Sequence, residues 1–150
     1  MGTIHGERSV EIHAPVVRCF AIAADIERAP RWQAALSAVE VLGRDGDGRA
    51  TSADAEFDAR VRTIRTRLRF GYDPHTAIEW HQERGDVKAL RGWWRFEDVG
   101  DSRTVATYGL EVDPGRMLGM LLRGAMEDRV REYLLEGAVD GLKRKAEGTG

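Results

Sequence analysis

Residues 9 to 32, SVEIHAPVVRCFAIAADIERAPRW, compress a strand, a proline-started helix and a second short helix into twenty-four residues, and everything downstream must fold around that opening. Ser9 to His13 alternate, with Val10 and Ile12 on one face and Ser9, Glu11 and His13 on the other, the two-residue period of a half-buried strand. Pro15 suits the first turn of a helix, where its missing N–H would have had no intrahelical partner. Val16, Cys19, Phe20 and Ala23 then recur at helical spacing. Asp25 is placed to cap a further short helix that Pro30 keeps from running on, and Trp32 closes the segment.

Beyond Trp32 the chain reads as six strands, near 36–43, 49–59, 61–72, 76–83, 86–98 and 103–113. Asp45-Gly46-Asp47-Gly48, Asp73-Pro74, Arg84-Gly85-Asp86 and Gly100-Asp101-Ser102 separate them as turn signals. Connections this short exclude the crossover helices of a parallel sheet, so the strands form an antiparallel meander. Alternation selects its inner face: Ala53, Ala55 and Phe57; Ile64, Thr66, Leu68, Phe70 and Tyr72; Ile78 and Trp80; Leu90, Gly92, Trp94 and Phe96; Ala106, Tyr108, Leu110 and Val112. Pro114-Gly115 ends the last strand, and residues 116 to 146 carry one unbroken helical pattern without proline. Such a helix would span roughly 45 Å at 1.5 Å per residue, with Leu118, Leu121, Leu122, Val130, Leu134 and Leu142 on its apolar stripe. Gly148-Thr149-Gly150 should fray.

The order strand, two short helices, six strands, long helix, over nearly the whole chain, resembles the START-like proteins, the polyketide cyclase/dehydrase or SRPBCC superfamily. Asp25 with Trp32, the strand Leu90-x-Gly92-x-Trp94-x-Phe96 and the closing Asp113-Pro114-Gly115 are the specific matches. Val17 and Cys19 depart from the family's usual residues at packing positions of the first helix. The resemblance implies an α+β helix-grip fold in one domain, residues 1–150, with a curved antiparallel sheet of about seven strands wrapped around a long C-terminal helix. It further implies a hollow between sheet and helix that holds a small or medium hydrophobic molecule, such as an aromatic polyketide, a lipid or a quinone-like compound.

Large rings facing small residues leave volume unfilled, which nominates Trp32, Phe57, Phe70, Trp80, Leu90 and Trp94 as lining. Met117, Met120 and Leu121 at the start of the long helix would adapt to differently shaped guests, and Thr66, Tyr72 and Tyr108 would orient a carbonyl or hydroxyl. A cyclase, aromatase or dehydrase acting on a poly-β-keto or aromatic intermediate is the enzymatic alternative. Tyr72 and Tyr108 are then the candidate catalytic phenols, each able to donate a hydrogen bond to a carbonyl turning enolate-like.

Other chemistries lack their motifs. The four histidines show no His-x-x-x-His spacing, no metal or other cofactor is implied, and GxSxG, P-loop and GxGxxG signatures are absent. The lone Cys19 lies on the apolar side of its helix, as a small core hydrophobe would. A net charge of −2 argues against nucleic acid and against general attraction to anionic membranes. No apolar run approaches the about 20 residues of a membrane span, so no membrane insertion is expected, and the N-terminus lacks a secretory signal, which makes the cytoplasm the expected compartment. A homodimer is left open.

The unusual local feature is an arginine series. Arg65, Arg67 and Arg69 share the outward parity and form a basic stripe, which offers a third alternative, a protein- or RNA-interaction module. Outward Glu56, Asp58, Glu79 and Glu111 on other strands could neutralise it. Arg60 and Arg62 have the other parity, so either the strand begins after them, or a bulge near Thr63 shifts the phase, or one of them points into the pocket.

Overall fold

A computed structural model of the chain describes residues 3–60 and 62–148. The tail residues Thr149 and Gly150 lie outside the described residues. The elements run β1 (Ile4–Ile12), α1 (Val16–Ala24), a 3₁₀ helix (Ile26–Arg31), β2 (Leu36–Arg44), β3 (Ala50–Asp58), β4 (Thr63–Asp73), β5 (Ala77–Gly85), β6 (Ala89–Gly100), β7 (Arg103–Asp113), α2 (Gly115–Leu121) and α3 (Ala125–Glu147). All strands join one antiparallel sheet in the order β1-β7-β6-β5-β4-β3-β2, so the meander is completed by the N-terminal strand lying beside the last one.

β1 starts earlier than its alternation suggests. Arg8 falls on the same parity as Ile4, Gly6, Val10 and Ile12, and a charge there obscures the period. That face packs against α3, where Arg8 finds Glu132 at 2.6 Å and Glu136 at 3.0 Å. A charge on the inward parity is thus satisfied by the helix that covers it. Lys143 adds a bond to the Glu11 carbonyl (2.7 Å), and Arg18 of α1 reaches the Ala146 carbonyl (2.7 Å). Asp25 stands at the N-terminus of the 3₁₀ helix, but its carboxylate pairs with Arg28 at 2.9 Å instead of capping a backbone N–H.

The inner face follows the expected parity on β3 to β7. Ala53, Ala55, Ile64, Leu68, Ile78, Trp80, Trp94, Phe96, Ala106, Tyr108 and Leu110 are all buried. β6 begins at Ala89, three residues later than expected, because Asp86 is tied back to β4 and Gln82 takes the Val87 carbonyl. Arg60 and Arg62 do not enter the interior. β3 ends at Asp58, the hairpin closes through Ala59 N–H to the Arg62 carbonyl (3.0 Å), and Arg60 turns out at φ 69° to lie 3.9 Å over the Tyr133 ring.

The single helix expected over 116–146 is two. α2 stops at Leu121, Leu122 leaves helical geometry (φ −107°, ψ 73°), and Gly124 takes a left-handed φ of 57° before α3 starts. Gly115 begins α2 with φ 83°. Left-handed conformations of this kind suit glycine, which has no Cβ to clash, so the two glycines bracket a seven-residue helix that is separate from α3. In α3 the buried positions are Val130, Leu135, Ala138, Val139, Gly141, Leu142 and Ala146, and the helix packs on β1 and β7.

Candidate functional site

The site is built where the largest inward rings meet the smallest inward residues. Trp80 on β5 is paired in register with Gly92 on β6, and a side chain at position 92 would come within 2.5 Å of the Trp80 indole. The glycine therefore lets the indole lie against the sheet instead of standing into the interior. Trp94 sits opposite Tyr108 in the β6–β7 register, with ring centroids 4.8 Å apart, and Trp80 is 5.8 Å from the same phenol.

These rings partition an apolar interior into two lobes that share Phe57, Trp80 and Tyr108. The outer lobe is bounded by Ile64, Val87, Leu90 and Leu110 from the sheet, by Leu118 and Leu122 around α2, and by Val130 and Leu134 of α3. Ala53, Ala55, Leu68, Phe70 and Trp94 bound the inner lobe, which the 3₁₀ helix closes with Ile26, Ala29 and Gln33. Cavity volumes are about 50 Å³ and about 40 Å³. Sites for drug-sized molecules usually offer roughly 300–1,000 Å³, so a polycyclic guest requires the lobes to merge or the cover to lift.

Among the described residues, one polar pair lines this interior. Gln33 and Tyr108 are buried, and the Gln33 amide donates to the Tyr108 oxygen at 3.4 Å. Burial pushes the Tyr108 phenol up to about 12, with the Gln33 hydrogen bond acting in the opposite sense. The phenol therefore keeps its proton across physiological pH. Sequence reasoning missed Gln33. Its signal was available as the one amide directly after Trp32, where the 3₁₀ helix turns back to the sheet.

Of the residues nominated from sequence, Phe57, Phe70, Trp80, Leu90, Trp94 and Tyr108 line the lobes. The others do not. Trp32 is half-buried and packs at a tilt against Trp94, with ring centroids 6.3 Å apart, behind the lining. The Thr66 hydroxyl is consumed by Gln82 (2.8 Å), and the Tyr72 hydroxyl donates to the Ala50 carbonyl (2.7 Å). Burial raises the Tyr72 phenol well above its ordinary value, consistent with that role as a fixed donor. Met117, Met120 and Leu121 are 83%, 61% and 54% exposed, since the break at 122–124 turns their side of α2 to solvent and gives the interior Leu118 and Leu122.

The arginine stripe is cross-paired. Arg67 makes a bidentate contact with Asp54 (2.7 and 3.1 Å), Arg69 meets Glu83 at 2.9 Å, and Arg65 stands 3.9 Å from Glu56. Trp93, on the same outer face, lies between Arg91 and Arg95, which bind Glu111 and Glu7 in turn. Cys19 is buried, its thiol pushed up by burial and directed at the Ala14 carbonyl. Among the described residues no cluster of three or more His, Cys, Asp or Glu side chains could hold a metal ion, and no helix is long and apolar enough to cross a membrane.

A seven-stranded antiparallel sheet closed by a C-terminal helix over an apolar interior defines the helix-grip class. The chain belongs to the family described as polyketide cyclase / dehydrase and lipid transport, whose model matches residues 12–136. Solved structures agree on the fold. A START superfamily protein from Mycobacterium smegmatis superposes with a TM-score of 0.83 at 19% identity, covering 97% of this chain and 98% of that one. A protein from Thermus thermophilus gives 0.80 at 21% identity, covering 97% of each chain. The Zhui aromatase/cyclase from Streptomyces sp. R1128 gives 0.75 at 19% identity, covering 97% of this chain and 94% of that one. No curated protein matches the chain.

Proposed function

We propose that this protein binds a small or medium hydrophobic molecule, an aromatic polyketide, a lipid or a quinone-like compound, in the interior between the sheet and the C-terminal helices. The observation that carries the reading is the pair of apolar lobes meeting at Trp80 and Tyr108, with the Tyr108 phenol as their shared polar group and Gln33 bonded to it from the inner lobe. Such an interior favours a flat or flexible apolar guest bearing one oxygen, because a guest with several polar groups would leave most of them without partners. Lipid transport in the family's description and the aromatase/cyclase among the structural relatives are compatible with that ligand class.

Native mass spectrometry of the protein purified from its source tests the proposal. An adduct that is released on denaturation and partitions into organic solvent is the expected result. A bare chain that also fails to take up an added naphthoquinone would refute it.

The protonated, buried Tyr108 favours a second reading, in which the same phenol polarises a carbonyl of a poly-β-keto guest during ring closure. Tyr72 does not share that role, because its proton is committed to Ala50.

A further inference from the structure

α2 presents two unlike faces. Inward, Leu118 and Leu122 cover the outer lobe; outward, Met117, Met120 and Leu121 stand in solvent as three large apolar side chains on less than two turns of helix. Isolated exposed apolar residues are ordinary, but three together on a short projecting element mark a contact surface.

The charges around them differ from those on the strands. Arginines on the strands are largely matched to carboxylates, as with Arg8, Arg67, Arg69 and Arg91, and Arg131 of α3 is matched as well. Arg116 and Arg123, at the two ends of α2, and Lys88, whose Cβ lies against Gly115, are exposed and have no ion-pair or hydrogen-bonded side-chain partner among the described residues. Of the nearby acids, Glu127 and Asp128 are engaged by Arg131 at 3.2 and 2.8 Å, and Asp113, just before α2, accepts the Gly115 N–H at 3.0 Å. The rim of the apolar patch is therefore positive even though the chain as a whole carries −2.

We propose that α2 is the docking face of this protein for an anionic lipid surface, with Met117, Met120 and Leu121 entering the headgroup layer while Lys88, Arg116 and Arg123 meet acidic headgroups. A seven-residue helix is too small to supply the roughly 800 Å² per partner of a stable protein interface, whereas three projecting apolar side chains ringed by cations suit the boundary between headgroups and acyl chains. Docking there places the cover of the outer lobe against the phase in which an apolar guest dissolves. Gly115 and Gly124 supply left-handed joints at either end of that cover. This is attachment at the surface without a membrane-spanning segment, and it does not depend on the identity of the guest.

Sedimentation of the full-length protein with vesicles tests the docking. The probes are vesicles of phosphatidylcholine alone and of phosphatidylcholine mixed equally with phosphatidylglycerol. Binding to the anionic vesicles only, weakened by salt, is the expected result. Arg116→Gln and Arg123→Gln should each weaken it about fivefold, from about 1 kcal/mol per basic residue near an anionic surface. Arg116→Lys and Arg123→Lys should retain it, and Met117→Asp with Met120→Asp should abolish it. Equal binding by the wild type and the aspartate variant, or no wild-type binding to anionic vesicles, overturns the proposal. The methionines are solvent-exposed and outside both lobes, so the aspartate variant should keep its folded circular dichroism and any guest seen by native mass spectrometry; loss of the guest alone would count against the interior site and not against docking.

Discussion

Tyr108 concentrates the chemistry of the interior at one atom. Its phenol is walled by Trp80 and Trp94, accepts a long hydrogen bond from Gln33, and is held protonated by burial. Replacing it with phenylalanine keeps the ring packing but leaves the buried Gln33 amide without its partner, a cost of about 1–3 kcal/mol. If the chain closes rings, Tyr108→Phe should lower turnover of a poly-β-keto substrate by about 10²–10³, the usual cost of one lost donor to a developing oxyanion, with the melting temperature lowered by a few degrees. Unchanged turnover in a steady-state assay would remove Tyr108 from the chemistry. Parity brought this residue to the inner face from sequence alone, but Tyr72 shared that parity. What separates them is a contact across strands, Tyr72 to the Ala50 carbonyl, that no local pattern encodes.

Among the elements, the C-terminal helices show most clearly what local patterning can and cannot supply. Apolar spacing continues through residues 118 to 126, so the segment reads as one rod, and the break is carried by Gly124, a residue that helices also tolerate in their interior. Most strand positions and inner faces were legible because a period of two is strict, whereas the first half of β1 was hidden by Arg8 on its apolar parity. Helix direction across a break was not, because it depends on which lobe needs Leu118 and Leu122. At its other end α3 is fastened by Glu147, whose carboxylate takes the His13 backbone N–H (2.8 Å) and the Lys143 ammonium (2.7 Å). Those two contacts hold the carboxyl below its ordinary value of 4.5, the backbone bond contributing most. A depressed carboxyl stabilises the folded state above the unfolded value and loses that contribution as the pH falls through the folded one. The His13 amide resonance should accordingly titrate with a midpoint below 4.5, and the acid-side drop in melting temperature should shrink in Glu147→Ala. A His13 amide that ignores pH, or a midpoint above 4.5, would show that the fastening is absent in solution.

For the molecule as a whole, the sheet, the 3₁₀ helix and the two C-terminal helices together bound an apolar interior that their own side chains do not completely fill. The order of elements in the sequence was enough to show the resemblance to the helix-grip family, which the family match over residues 12–136 bears out. The division of the interior into two narrow lobes was not legible, because it arises from the tilt of Trp80 over Gly92 and of Trp94 toward Tyr108. Four tryptophans report on the two sides of the sheet: Trp80 and Trp94 line the lobes, Trp32 packs behind Trp94, and Trp93 lies on the outer face bonded to Glu7. The most direct measurement is a titration of the indole N–H resonances with a small naphthoquinone. Saturable shifts of the Trp80 and Trp94 signals, with Trp93 unmoved, are the expected result. Shifts confined to Trp93, or none at any indole, would contradict a ligand chamber between sheet and helix.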